Sequence, residues 1–160
     1  RDRSVSRGLG DVYKRQGVGC EVIAAYNYLT YEGFEPDMAK LAYDFEKNAL
    51  IAADGSLGSN PRKISGLFKA MGVGYKRFYK AEEAQAAVEE GKPVIVSFHS
   101  GLNIFSGIHT VFAVKEEGRL YVYNCYNSAA DKTEVESIYQ LMNKNSLFIV
   151  GYTEDDGQMR

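Results

Sequence analysis

The chain has 160 residues, of which 45% are hydrophobic, and it carries 19 basic and 21 acidic side chains. This length and composition predict one globular domain with a hydrophobic core. The balanced charge gives no electrostatic support for nucleic-acid binding, and no apolar stretch approaches the length of a membrane span. The two cysteines form neither a disulfide framework nor a zinc pattern, and they do not indicate a cellular compartment.

The first 16 residues differ in character from the rest of the chain. The run SRGLGDVYKRQ at residues 6–16 resembles the translation of a transposase sequencing adapter, which is familiar from metagenomic open reading frames. We therefore expect residues 1–16 to be non-native, residues 17–153 to form a single domain and residues 154–160 to form a solvated tail. On this interpretation the native residues upstream of Gly17 are missing.

Three helices are predicted in the first half of the chain, because apolar residues recur there at helical spacing. Ser59 or Asn60 caps the third helix, after a turn-rich loop over residues 54–60. The predicted helices are Cys20 to about Tyr31, ended by Gly33, then Asp37–Asn48, and Pro61 to Met71, ended by Gly72.

The second half of the chain consists mainly of strand patterns, in which apolar and aromatic runs lie between turn signals. Helices are predicted there over Ala81–Glu90 and Val135–Asn143. Helices first and consecutive strands later indicate the α+β class, with N-terminal helices packed on a C-terminal antiparallel sheet. The predicted strands are Tyr75–Tyr79, Pro93–Phe98, His109–Lys115, Leu120–Asn124 and Leu147–Tyr152.

Cys20 follows a glycine at the start of the first predicted helix. A helix N-terminus carries partial positive charge, which favours the thiolate, and the thiolate is the nucleophilic form. Cys20 is therefore a candidate catalytic residue, whose backbone N–H would supply an oxyanion donor. The alternative is a small buried residue on a core helix.

A predicted hairpin brings a histidine and an asparagine together. With Glu117-Gly118 as a two-residue loop, Glu116 faces Arg119. Counting back along the alternating strands places His109 and Asn124 as diagonal neighbours on one face, with roughly 7–8 Å between their backbones. A slip of one residue would put them on opposite faces.

Cys20, His109 and Asn124 together form a chemically complete set for nucleophilic catalysis. His109 would take the proton of Cys20 and give it to the leaving group, and Asn124 would orient the imidazole. His99, at the end of a buried strand, is the second candidate for the base. Asn127 replaces Asn124 if a bulge shifts the register. The alternative interpretation is a strand-end histidine and a turn asparagine.

The remaining polar groups have structural interpretations. Cys125 is expected to point away from the face of Asn124 and to lie in the core, so we expect no disulfide with Cys20. The two histidines do not lie at ligand spacing, and we expect neither a metal nor a cofactor. The loops Gly55–Asn60 and Ser100–Ile108 would border the cleft.

Three segments resemble those of bacterial papain-like cysteine peptidases of the bacteriocin-processing (double-glycine leader) type. Residues 19–25, GCEVIAA, resemble the nucleophile segment, residues 107–111, GIHTV, the histidine segment, and residues 121–124, YVYN, the third. The resemblance covers roughly residues 17–152. It implies a papain-like fold with Cys20, His109 and Asn124 as the catalytic residues.

Two positions depart from the pattern of that family. The family has an oxyanion-hole glutamine a few residues before the cysteine; Gln16 lies near that position but within the adapter-like run, and the role is not assigned to it. Glu21 stands where processing peptidases usually carry glycine-proline. Its carboxylate suits the helix dipole but opposes formation of a thiolate beside it.

The leading functional hypothesis is a thiol hydrolase that cleaves a peptide or amide bond in a peptide or protein substrate by a Cys-His-Asn mechanism. A second hypothesis is a module that binds a peptide in the same cleft without cutting it. A third is another amide chemistry, such as transpeptidation or cell-wall amide hydrolysis, because one fold supports several chemistries.

Overall fold

A computed structural model describes residues 19–47, 61, 64–99, 108–123, 132–142 and 146–155. The helices in these residues are α1 (Gly19–Tyr31), α2 (Met38–Lys47), α3 (Ile64–Ala70) and α4 (Ala81–Glu89). The strands are β1 (Lys76–Phe78), β2 (Val94–His99), β3 (Ile108–Glu116), β4 (Arg119–Tyr123), β5 (Lys132–Val135) and β6 (Leu147–Thr153), and a 3-10 helix covers Ile138–Leu141.

Local sequence signals account for the ends of the helices. Gly33, just past the end of α1, has a φ of 94°, in the left-handed region that glycine adopts without steric cost. Asp37 caps α2, because its side-chain Oδ1 accepts a hydrogen bond from the backbone N–H of Lys40 at 2.8 Å. The four helices predicted before residue 91 are confirmed, with ends that differ by a few residues.

The six strands form one antiparallel sheet with the order β1-β6-β2-β3-β4-β5. The predicted hairpin is confirmed: Glu116 pairs with Arg119 across β3 and β4. Glu117 and Gly118 form the two-residue loop with φ angles of 53° and 79°, as the type I′ turn requires. The register of this hairpin positions the residues of the candidate site.

Both faces of the sheet are covered by helices. α1, α2 and α3 pack on one face, where Phe112 meets the rings of Tyr28 at 6.4 Å and Tyr31 at 6.0 Å. α4 and the 3-10 helix cover the other face, which includes Val111 and Ala113. The predicted α+β class is therefore confirmed, and the helix α4 adds a second covered face to the predicted arrangement.

The prediction of a helix over Val135–Asn143 is wrong. Val135 is the last residue of β5, which pairs with β4, and only Ile138–Leu141 forms a 3-10 turn. The backbone N–H of Ile138 donates to Oε1 of Gln85 on α4 at 2.8 Å. The apolar spacing of this segment fits a helix, but pairing with the sheet edge and the contact with α4 determine its conformation.

Candidate active site

Cys20 lies in the first turn of α1 and contacts the middle of the sheet. It is a partly exposed free thiol, and it lies near enough to β3 for the backbone N–H of Thr110 to lower its pKa. Thr110 is fully buried, and its hydroxyl shares a 2.8 Å hydrogen bond with the hydroxyl of Ser97 on β2. α1 thus places the candidate nucleophile against β3, a strand that helices cover on both faces.

The hairpin register sets the direction of the Thr110 amide. The pair that flanks a two-residue loop exchanges both backbone hydrogen bonds, and such pairs recur at every second position of the ladder. Glu116 and Arg119 form the first hydrogen-bonded pair, and the same alternation makes Phe112 and Tyr123, the last described pair of the hairpin, a hydrogen-bonded pair as well. One further step directs the Thr110 amide to the same side of β3, toward β4, and this amide lowers the pKa of Cys20.

The surroundings of Cys20 favour its protonated form. Burial is the largest effect and raises the pKa of the Cys20 thiol well above its usual range. The Glu21 carboxylate raises this pKa further, through its charge and through the hydrogen bond that the thiol donates to Oε2 at 2.9 Å. The backbone N–H groups of Thr110 and Glu21 lower it. The net direction is opposite to the one that the helix start alone predicts, whereas the predicted opposition from Glu21 is confirmed.

His109 precedes Thr110 on β3 and extends from the other face of the strand. Its ring meets the ring of Phe98 edge-on at 5.7 Å, and Phe98 belongs to the core beneath α4. Since side chains alternate, Thr110 lies on the face that packs against α1. The structure therefore brings the Cys20 sulfur to the backbone beside His109, and the imidazole leaves β3 on the opposite face.

His99, the second candidate for the base, ends β2 on the face that packs against α1. Ser97 shares its hydroxyl hydrogen bond with Thr110, so both lie on that face, and alternation along β2 places His99 there as well. His99 and His109 occupy the same end of the β2–β3 pair, since Phe98 pairs with His109 and His99 with Ile108. The two histidines lie on opposite faces of the sheet.

Several predicted features fall outside the described residues. The described part of β4 ends at Tyr123, one residue before the predicted catalytic asparagine. The register up to that point matches the predicted one. The features without a structural description are Asn124, its alternative Asn127, Cys125, Gln16, the segment 1–18, and the loops Gly55–Asn60 and 100–107.

The buried Ser97–Thr110 pair was not predicted from the sequence. Each residue is a small hydroxyl side chain next to apolar residues in a buried part of its strand, which is a visible signal. The signal acquires a meaning only when the β2–β3 register is known, because that register places the two hydroxyls opposite each other. The pair connects β2 to the residue whose amide contacts Cys20.

A groove of about 610 Å³ lies at the other end of β3, beside the hairpin loop. Its lining includes Lys115, Arg119 and Glu134. Arg119 lies 3.6 Å from Glu134, and Lys115 lies 2.9 Å from Glu89 on α4. Because Lys115 and Arg119 each have a carboxylate partner, the described lining gives no sign of a site for a charged ligand.

The fold and the free thiol at the start of α1 are those of the papain-like cysteine peptidase class. The sequence model of the Peptidase_C39 like family matches residues 11–147, which is most of the chain, and the chain belongs to this family. No curated protein matches the chain. Within the described residues, no helix is long and apolar enough to cross a membrane, and no three His, Cys, Asp or Glu side chains lie together in a way that would hold a metal ion.

Proposed function

We propose that this protein is a thiol-dependent hydrolase that cleaves a peptide or amide bond with Cys20, His109 and Asn124. The observation that carries the proposal is the contact of the Cys20 sulfur with the Thr110 amide, on the strand that also carries His109. Membership of a cysteine peptidase family supports the same reaction class. The substrate in this proposal is a peptide or protein.

The proposed reaction runs through an acyl-enzyme. The Cys20 sulfur attacks the carbonyl carbon of the substrate, and its proton passes to the base and then to the leaving amine. For His109 to be this base, its imidazole has to turn from the Phe98 face of β3 toward Cys20. Water then attacks the thioester with His109 as base, which releases the acid and restores the thiol. Asn124 would hold the imidazole in its productive orientation. The backbone N–H of Cys20, in the first turn of α1, would donate to the oxyanion.

The raised pKa of Cys20 makes the base indispensable in this scheme. A thiol whose pKa lies above its usual range is almost entirely protonated at neutral pH. The thiolate must therefore form by proton transfer once the substrate is bound, and loss of the base removes that transfer. General-base catalysis of this kind contributes about 10²–10⁴-fold to the rate.

Labelling with a peptidyl epoxide tests the proposal, because this probe reacts after it has bound in a peptide cleft. We expect Cys20→Ala to abolish labelling, Cys125→Ala to leave it unchanged and His109→Ala to slow it by about 10²-fold or more. Mass spectrometry of the labelled peptide identifies the cysteine. Equal, slow labelling of Cys20 and Cys125 would contradict the proposal.

His99→Ala is the matched control for the assignment of the base. His99 and His109 lie at the same end of the β2–β3 pair but on opposite faces. His109→Ala should therefore slow labelling, and His99→Ala should not. Slow labelling in His99→Ala, with the native rate in His109→Ala, would move the role of base to His99.

A peptide-binding module is the second candidate function, and the protonated state of Cys20 favours it. The raised pKa of the Cys20 thiol and the position of His109 on the opposite face of β3 both favour binding without cleavage. A pool of synthetic peptides separates the two functions. A hydrolase yields cleavage products that Cys20→Ala does not yield, whereas a binding module retains the same peptides in both proteins without products.

A further inference from the structure

The carboxylate of Glu21 is buried and bonded directly to the candidate nucleophile. Only 3% of Glu21 is exposed, and its Oε2 atom accepts the Cys20 thiol proton at a sulfur–oxygen distance of 2.9 Å. A buried carboxylate is costly unless it is hydrogen-bonded, and this thiol is one of its donors. The thiol proton thus forms a hydrogen bond that offsets part of the cost of burying the Glu21 carboxylate.

Burial is the largest cause of the raised pKa of Cys20, and two other features of the sulfur environment favour a negative charge. The backbone N–H groups of Thr110 and Glu21 both lower the pKa of the Cys20 thiol, and the sulfur lies in the first turn of α1, where the helix dipole favours an anion. A thiolate at this position would also lie 2.9 Å from a second anion. Like charges at this separation oppose ionisation, as they do in paired carboxylates.

We propose that Glu21 is a positioning residue that holds Cys20 in its protonated form and so restrains the nucleophile of the resting protein. The proposal rests on the assignment of Cys20 as the nucleophile. The thiol is less reactive toward oxidants and alkylating agents than the thiolate is. Glu21 therefore protects Cys20 until a substrate and the base act on it together.

The two strands nearest to Thr110 carry one titratable group each at this end of the sheet. His109 is the neighbour of Thr110 on β3, and His99 ends β2. Among the described residues, Glu21 is the group whose charge acts on Cys20 and raises its pKa. Removal of this one carboxylate should therefore change the reactivity of the thiol.

Iodoacetamide alkylation tests the proposal, because its rate follows the thiolate fraction and requires no turnover. The measurements use the full chain with Cys125→Ala, which leaves Cys20 as the single cysteine. We expect Glu21→Gln to lower the pH midpoint of alkylation and so to raise the rate at pH 7, by about tenfold or more. Glu35→Gln removes the same charge from an exposed site beyond α1 and should leave the rate unchanged.

A second measurement needs no substitution at position 21. The native chain should alkylate more slowly at pH 7 than the same chain unfolded in urea, and its midpoint should lie at higher pH. A faster native rate overturns the proposal even if Glu21→Gln fails to fold. An equal or slower rate in folded Glu21→Gln also overturns it, and a slower rate would identify Glu21 as a proton acceptor that assists Cys20.

The outcomes separate this proposal from the proposed function. If a peptidyl epoxide fails to label the native chain but Glu21→Gln accelerates alkylation, the hydrolase proposal fails and the restraint on the thiol stands. If the epoxide labels Cys20 but Glu21→Gln does not accelerate alkylation, the hydrolase proposal stands and the role of Glu21 fails.

Discussion

Gly151 on β6 lies opposite Phe78 on β1, and the aromatic ring occupies the space that a side chain would need. A Cβ atom at position 151 would overlap the Phe78 ring. That ring also stacks on Phe148 at a centroid distance of 6.1 Å, so it cannot move away without losing this contact. The absence of a side chain at position 151 is therefore a packing requirement.

Gly151→Ala should lower the free energy of unfolding by about 1–3 kcal/mol, the usual cost of overpacking a buried site. Urea unfolding of both proteins measures the difference. Gly66→Ala in α3 is the matched control, because a Cβ there meets no atom within 4 Å. Alanine is also the better helix former, and this control should gain up to about 1 kcal/mol. A loss of the same size in both variants would contradict the steric explanation.

At Cys20 the sequence predicts the position correctly but not the ionisation state. A glycine before an apolar, alanine-rich segment is sufficient to place the cysteine at the start of α1. The direction of the pKa shift depends chiefly on burial, which results from packing against β3. Residues that are distant in the sequence supply this packing, and no local pattern around Cys20 reports it.

The β3–β4 hairpin depends on a two-residue loop in which both residues have positive φ. Gly118, with a φ of 79°, adopts this conformation without cost, but Glu117, with a φ of 53°, has a Cβ atom that disfavours it. Left-handed backbone costs roughly 1–2 kcal/mol for an ordinary residue and less for asparagine. The loop is therefore strained at its first residue.

Glu117→Asn should raise the free energy of unfolding by roughly 0.5–1 kcal/mol, because asparagine tolerates the left-handed region and favours type I′ turns. Gly118→Ala should lower it by about 1 kcal/mol, because alanine at the second loop position has the unfavourable Cβ. Thermal unfolding midpoints measure both changes. If both variants raise or both lower the unfolding midpoint, the positive φ angles of the loop are not the cause of the changes in stability.

The predicted elements are confirmed where local chemistry determines them, as at Gly33, Asp37 and the Glu117-Gly118 loop. The prediction fails at Val135–Asn143, where strand pairing and the contact with Gln85 replace the helix that the apolar spacing favours. The position of β6 between β1 and β2 depends on pairing between residues far apart in the sequence. Such pairing leaves no local pattern.

Tyr152 connects the helical layer to the sheet in the whole molecule. It lies fully buried on β6, and its ring meets those of Phe68 on α3 at 5.9 Å and of Tyr75 at 6.0 Å. Its hydroxyl donates to the carbonyl oxygen of Pro61 at 2.6 Å, before α3 begins. The phenol therefore contributes both apolar burial and a buried hydrogen bond.

Burial raises the pKa of Tyr152 to about 12, and this shift makes the stability of the fold sensitive to alkaline pH. The unfolded chain loses the phenol proton near pH 10, whereas the folded protein keeps it to about pH 12. The folded state thus binds more protons in this interval, and stability falls as pH rises through it. The stabilisation is fully present below about pH 10, and its loss is on the order of 2–3 kcal/mol.

Tyr152→Phe should separate the hydrogen bond from the ionisation. At pH 7 the variant should be less stable by about 1–2 kcal/mol, because the buried carbonyl of Pro61 loses its donor. Between pH 10 and 12 its stability should fall less steeply than that of the native protein, since one buried proton no longer has to be lost. Burial also raises the pKa of Tyr123 and of Cys20, so part of the alkaline slope should remain. Unfolding by urea at a series of pH values measures these slopes.

Tyr79→Phe is the matched control for this prediction. Tyr79 is 52% exposed, so the same loss of a hydroxyl there removes no buried phenol. The control should keep the native stability at pH 7 within about 0.5 kcal/mol and should keep the native alkaline slope. If Tyr152→Phe and Tyr79→Phe lose stability in parallel between pH 10 and 12, the alkaline sensitivity arises elsewhere and burial of Tyr152 is not its source. If only Tyr152→Phe flattens the slope, the contact between α3 and β6 depends on a neutral phenol.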